Sequence, residues 1–186
     1  MWRYFFKLSD MKPKSLLLKL LFVIILSGCS TSRFSNSAGE LLSDEFATGN
    51  SGLTVRIPRG WFQAYDNEKN VLDLWIVSGD YSASIQFKTI NFFDEVNNLH
   101  EAVKISKAVN KISDGNKRQF LDENKNIDGS AAYKIIDDGS VVARVVVFPW
   151  KGKFYECTAG FLPDYSGAGK EKVFELQDEV LKNLKY

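Results

Sequence analysis

The chain has 186 residues, of which 45% are hydrophobic and 25% are charged, as in an ordinary globular domain. Its formal net charge is +1, but residues 1–28 hold five basic side chains and one acidic one, so they carry +4 and leave −3 on the remaining 158 residues. A domain of that size buries a real core, and its negative charge argues against nucleic-acid binding, which needs a basic stripe to neutralise phosphates.

Residues 1–28 have the order of an export signal: a basic start, an apolar run over residues 16–26 and a small-residue cleavage site. As a helix, the 11 residues of the apolar run span about 16 Å. That length is about half of a hydrocarbon core of roughly 30 Å, too short for a permanent transmembrane helix. The segment Met11-Lys12-Pro13-Lys14 is also typical of a signal-peptide start, so translation begins at either Met1 or Met11.

The four residues Leu26-Ser27-Gly28-Cys29 that end this segment resemble the lipobox of bacterial lipoproteins. The resemblance implies that residues 1–28 are a signal peptide and that Cys29, modified with palmitate-type chains, is the first mature residue. Several acyl chains hold a protein on a membrane far more firmly than one chain does. Ser30 favours the outer membrane, with the domain facing the periplasm, over the inner membrane. The alternative is an ordinary secretory peptide that is cut near the same place.

The segment after Cys29 is rich in Ser, Gly, Asn and Thr up to Gly52. Such a composition predicts a flexible spacer. We therefore predict a lipid-anchored tether over residues 29–52 and a globular domain over residues 53–186.

The first half of that domain predicts three strands and a helix. Alternation of apolar and polar residues indicates strands over residues 53–57, 71–77 and 83–90, the last two joined by a hairpin turn at Ser78-Gly79-Asp80. The spacing of apolar residues from Asp94 to Val109 predicts a helix, with Asp94 as its cap.

The second half predicts a meander and a closing helix. Strands are expected over residues 117–122, 131–136, 141–148 and 153–161, and a helix over residues 170–184. Asp138-Gly139 favours a tight hairpin turn, and the nearly uninterrupted apolar run of residues 141–148 indicates a central strand covered on both faces. This order of elements predicts an α+β fold, a mainly antiparallel β-sheet packed against helices.

The segment Val55-Arg56-Ile57-Pro58-Arg59-Gly60-Trp61 is similar to the "strand, Pro, x, Gly, Trp" opening of the PsbP-like superfamily. The predicted hairpin, helix, meander and closing helix follow in that family's order, so the chain resembles a lipoprotein of its DcrB type. The resemblance implies a PsbP-like α/β/α sandwich, no shared enzyme activity, and an accessory or docking role.

Cys157 and His100 are the only thiol and imidazole available for nucleophilic catalysis. Cys157 lies in a predicted strand, where a small buried core residue is the expected role, and His100 is expected on a helix surface. The sequence also lacks a Gly-x-Ser-x-Gly motif and a cluster of metal ligands. We therefore expect no enzyme activity, no catalytic residues, no bound metal and no cofactor.

Two tryptophans are candidates for an exposed recognition patch. Trp75 lies on the strand face opposite Leu72, Leu74 and Ile76, and Trp150 lies at a strand end. The predicted function is that of a membrane-anchored, non-catalytic lipoprotein of the cell envelope that docks on a protein complex, with no nucleic-acid partner. The alternative is a lipid or lipoprotein carrier with a LolB-like role, which requires an open apolar cavity.

Overall fold

A computed structural model describes residues 41–65, 71–90, 96–112, 117–123, 129–162 and 167–185. This part of the chain contains nine strands and two helices. In chain order they are β1 (Leu42–Thr48), β2 (Thr54–Pro58), β3 (Trp61–Gln63), β4 (Leu74–Ser78), β5 (Ala83–Thr89), α1 (Leu99–Ile112), β6 (Gln119–Glu123), β7 (Ala131–Asp137), β8 (Ser140–Trp150), β9 (Lys153–Phe161) and α2 (Gly167–Lys182).

Seven of the strands form one antiparallel sheet in the order β3-β4-β5-β9-β8-β7-β6, and β1 pairs with β2 in a separate two-stranded ribbon. Residues 143–148 of β8 are all buried, which confirms the prediction of a central strand covered on both faces. The predicted α+β class with a mainly antiparallel sheet is also confirmed.

A helix covers each face of the large sheet. Val146, Cys157 and Ala159 point into a core that α2 and the β1–β2 ribbon close from one side. The neighbouring β8 residues Val145 and Val147 point the other way, into a second core under α1. Because successive strand residues alternate between faces, the two cores lie on opposite sides of one sheet, as in an α/β/α sandwich.

The predicted hairpin between β7 and β8 is confirmed. Asp138 and Gly139 have φ angles of 46° and 74°. Positive φ at both central residues matches the right-handed twist of the flanking strands, and Asp-Gly is a sequence that adopts it readily.

The structure corrects the predicted tether of residues 29–52, because Leu42–Thr48 forms strand β1. Near the two ends of β1, Leu42 and Ala47 are 1% and 0% exposed and pack into the core, whereas Asp44 and Glu45 between them are exposed. β3 was also not predicted.

Helix α1 begins at Leu99 rather than at the predicted Asp94, which lies outside the described residues. The Asn98 side chain accepts a hydrogen bond from the Glu101 backbone N–H at 2.9 Å and so caps the helix.

The predicted signal peptide and lipid-modified Cys29 lie outside the described residues. Among the helices that the structure describes, none is both long and apolar enough to cross a membrane.

Candidate functional site

The face of the sheet that carries α1 is only partly covered. α1 packs mainly on β8 and β9, and a depression of about 310 Å³ opens on the same face over β4, β5 and the end of β9. Its floor, here called the sheet groove, consists of Trp75, Val77, Ser84 and Gly160, and Tyr81 and Leu162 line the depression at its end beside the β4–β5 turn. Val77 pairs with Ser84, and Ser84 pairs with Gly160, so three neighbouring strands contribute one row of side chains. The groove contains no charged side chain and favours an apolar, uncharged ligand.

Trp75 is the largest side chain of the sheet groove. Leu74 and Ile76 are 2% and 0% exposed in the core, whereas the half-buried Trp75 faces the other way, which confirms its predicted strand face. Its indole Nε1 is shielded from solvent and has no hydrogen-bond acceptor among the described residues. A buried indole N–H usually finds an acceptor, so the unpaired donors of Trp75 and Trp150 each oppose the stability of the fold.

Three exposed apolar side chains meet at one end of the sheet and form what is here called the tip patch. Phe62, Tyr81 and Leu162 are 37%, 69% and 56% exposed. The rings of Phe62 and Tyr81 meet edge to face with centroids 5.5 Å apart, and the Leu162 backbone N–H donates to the Ser82 carbonyl at 2.9 Å. Contiguous apolar groups on a surface are a mark of an interaction site.

The turn that presents Tyr81 is stiff. Tyr81 has a φ of 62°, which is unusual for a bulky residue. The Asp80 carboxylate accepts hydrogen bonds from the Ser78 and Ser82 hydroxyls, both at 2.7 Å, and from the Ser82 N–H at 3.0 Å. The bond from Ser78 and then those from Ser82 lower the pKa of Asp80 to about 2. The turn therefore keeps an exposed aromatic ring in a conformation that its own side chain disfavours.

A buried carboxylate, Glu156, holds α1 on the sheet. It is 1% exposed and accepts hydrogen bonds from the Ser106 hydroxyl at 2.5 Å and the Thr158 hydroxyl at 2.8 Å. Lys88 adds an ion pair at 3.0 Å, and the amide of Asn110 lies 3.3 Å from the carboxylate. Each acceptor position of the buried charge is thus occupied by a donor.

The same network includes a tyrosine hydroxyl. Ser106 gives its single hydrogen to Glu156, so the Tyr133 hydroxyl donates to the Ser106 oxygen at 2.5 Å. Asn110 in turn donates to the Tyr133 oxygen at 3.1 Å. Burial, and then the charge of Glu156, raise the pKa of Tyr133 well above its usual value. A neutral tyrosine that is fully hydrogen-bonded in this way is a structural donor rather than an acid–base catalyst.

A second buried charge, Arg144, holds α2 against the other face. It is 2% exposed, and its guanidinium donates to Glu123 at 2.7 Å, Asp178 at 2.6 Å and the Gln177 amide oxygen at 3.0 Å. Burial of Arg144 lowers the pKa of its guanidinium. The hydrogen bonds to Glu123 and Asp178 together have a larger, opposite effect, so the pKa of Arg144 is raised. The cluster joins β6, β8 and α2.

The prediction that Trp150 belongs to an exposed recognition patch is wrong. Trp150 is 3% exposed, and its ring packs edge to face on Tyr155 with centroids 5.4 Å apart. It lies opposite Lys153 across the β8–β9 turn on the core side of the sheet, which explains its burial at a strand end.

The structure keeps Cys157 and His100 apart. Cys157 is 0% exposed in the core beneath α2, and burial raises the pKa of its thiol to about 12. His100 is exposed on α1, on the opposite side of the sheet. Both placements were predicted. Among the described residues, no three His, Cys, Asp or Glu side chains converge as metal ligands.

The sequence matches no family model, and no curated protein is similar to it. The structure is similar to the solution structure of cyanobacterial PsbP (CyanoP) from Synechocystis sp. PCC 6803, with a TM-score of 0.50. The two sequences are 17% identical, and the match covers 76% of this chain and 91% of that one. The likeness shows that the domain has a PsbP-like fold, as the resemblance in sequence predicted.

Proposed function

We propose that this protein is a lipid-anchored, non-catalytic lipoprotein of the bacterial cell envelope that serves as a docking module for a protein complex. The lipobox at Leu26-Ser27-Gly28-Cys29 supports the anchor, and Ser30 favours the outer membrane with the domain facing the periplasm. The sheet groove is the observation that carries the docking role.

The chemistry of the sheet groove defines the partner. Its floor is largely apolar and carries no charged side chain. An extended apolar segment of another protein suits this surface, because its side chains fill the groove and pack on the Trp75 ring. Tryptophan is also enriched among the residues that dominate binding energy.

The ionisable residues of the core support a structural rather than a catalytic role. The thiol of Cys157 is sealed in the core, and Glu156 and Arg144 have their hydrogen-bonding capacity occupied by protein partners. A catalytic group needs access to substrate and free proton-transfer capacity.

Site-specific photo-crosslinking in living cells tests the docking role. A photoreactive amino acid replaces Ser84 on the groove floor, and a control replaces the exposed Glu175 on α2, on the other face of the sheet. We expect a discrete protein adduct from position 84 that is absent from position 175 and weakened by Trp75→Ala in a protein that still unfolds cooperatively. The same adducts from both positions, or none from position 84, would refute the docking role.

The carrier alternative remains a prediction, since the apolar sheet groove also suits an acyl chain. Binding of a fluorescent fatty acid by the delipidated protein, lost in Trp75→Ala, would favour the carrier. Absence of binding would leave the docking role.

A further inference from the structure

We propose that the tip patch rests on the surface of the lipid bilayer to which Cys29 anchors the chain. This inference depends on the lipid anchor of the proposed function and adds an orientation to it: the end of the sheet that carries Phe62, Tyr81 and Leu162 faces the membrane.

The first observation is where the described chain begins. The Arg59 backbone N–H donates to the Leu41 carbonyl at 3.0 Å, and the Gly79 N–H donates to the Gly60 carbonyl at 2.8 Å. These two bonds connect the start of the domain to the β2–β3 turn and that turn to the β4–β5 turn. Tyr81 lies in the β4–β5 turn. The segment that leads back to Cys29 therefore joins the domain beside the tip patch.

The second observation is the reach of that segment. Leu41 follows Cys29 by 12 residues. A segment of that length spans at most about 40 Å, whatever its conformation. β9 has 9 residues, so the end of the sheet at Lys153 lies about 30 Å from the tip. Bringing Lys153 to the bilayer would use most of that maximum reach, whereas bringing the tip patch there uses little of it.

The third observation is the chemistry of the two ends. The tip patch presents two aromatic rings and a leucine, and aromatic residues favour the membrane–water interface, where an apolar body and a polar edge are both satisfied. The opposite end carries the exposed Tyr65 and Val71 as well as Lys151 and Lys153, so the start of the described chain, rather than apolar character alone, distinguishes the two ends. Asp80, which precedes Tyr81, accepts three hydrogen bonds within its own turn, all on one carboxylate oxygen.

Depth-dependent fluorescence quenching tests the orientation. The full lipid-modified protein carries one new cysteine, Leu162→Cys at the tip or Lys153→Cys at the far end as the matched control, each labelled with a small environment-sensitive dye. Cys157 does not compete for the dye, because it is buried and its pKa is raised to about 12. The protein is reconstituted in phosphatidylcholine vesicles that contain nitroxide lipids. With the labels about 30 Å apart, we expect quenching at least about three-fold stronger at position 162 than at position 153.

A third variant separates membrane contact from folding. Tyr81→Asn removes the ring and suits the positive φ, since asparagine tolerates that conformation better than tyrosine. In the Leu162→Cys background it should at least halve the quenching while leaving thermal stability equal or higher. Unchanged quenching in this variant would refute the role of the ring.

The outcomes also separate the inference from the proposed function. If the protein floats with the vesicles but positions 162 and 153 are quenched equally, or position 153 more strongly, the orientation is refuted and the anchor stands. If the protein fails to float, the anchor is refuted and the orientation with it.

Discussion

Replacing Glu156 with alanine tests whether a buried carboxylate holds α1 on the sheet. The change removes the acceptor of the Ser106 and Thr158 hydroxyls and the partner of Lys88. Lys88, whose side chain is 20% exposed, can turn toward water, but Ser106 is 2% exposed and cannot. The hydroxyl of Ser106 and the amide of Asn110 therefore lose an acceptor inside the protein, where unpaired donors destabilise the fold.

The magnitude follows from the bonds that are lost. A hydrogen bond to a charged group contributes about 1.5–3 kcal/mol, and removing one partner of a buried charge network typically costs about 3–5 kcal/mol. Glu156→Ala removes two short hydrogen bonds and one ion pair, so we expect it to lower the free energy of unfolding by about 3–5 kcal/mol. For a domain of this size, each kcal/mol shifts Tm by roughly 2–4 °C, so the variant should melt roughly 6–20 °C lower.

Urea unfolding and differential scanning calorimetry measure both quantities. The matched control is Glu175→Ala on the exposed surface of α2, which should change stability by less than about 0.5 kcal/mol. Adding the isosteric Thr158→Val to Glu156→Ala should cost little more than Glu156→Ala alone, because the Thr158 hydroxyl donates to the carboxylate that is already removed. A Glu156→Ala protein within about 1 kcal/mol of the wild type would show that the network does not hold the helix.

Three further predictions concern single positions. Gly79→Ala should destabilise the domain by about 1–3 kcal/mol in urea titrations, because a Cβ there would lie 2.8 Å from the carbonyl oxygen of Gly60. Cys157 should react with a thiol reagent at pH 8 only as fast as the domain unfolds, because it is 0% exposed and burial raises its pKa to about 12; rapid labelling of the native protein would contradict its burial. Asn98→Ala should lower the free energy of unfolding by about 1 kcal/mol, since the side chain caps α1 through the Glu101 N–H, and Asn98→Asp should retain most of the stability.

The parts of the fold that local sequence determines were predicted. Asp138 and Gly139 readily adopt positive φ, so these two residues are enough to predict the turn. The apolar run of β8 is in the same way enough to predict a strand that is buried on both faces. Strand β1 lacks a local pattern of this kind. Leu42 and Ala47 are buried, but the exposed Asp44 and Glu45 lie between them, so apolar and polar residues do not alternate along the strand. Its pairing with β2 is a tertiary contact that no local pattern indicates.

The buried hydrogen-bond network around Glu156 was also not predicted from the sequence. Ser106 and Asn110, one turn apart, both lie on the buried face of α1. A polar pair four residues apart on a buried helix face, opposite a glutamate in an otherwise apolar strand, is a signal that could have predicted the network. The hydrogen-bond partners of these polar side chains depend on how α1 packs against β9. The sequence alone does not give the distance between these two elements.

The Glu156 network and the sheet groove are connected through the strands that they share. Trp75 pairs with Gln86, and Gln86 pairs with Thr158, which donates to Glu156. The carboxylate that holds α1 over β8 and β9 is therefore connected to Trp75 through two strand pairings of the same sheet. We expect the loss of the bond between Glu156 and Thr158 to loosen β9 where it pairs with β5, the strand that carries Ser84. Glu156→Ala should consequently reduce crosslinking from Ser84 even at temperatures at which the domain remains folded, whereas Glu175→Ala should leave crosslinking unchanged.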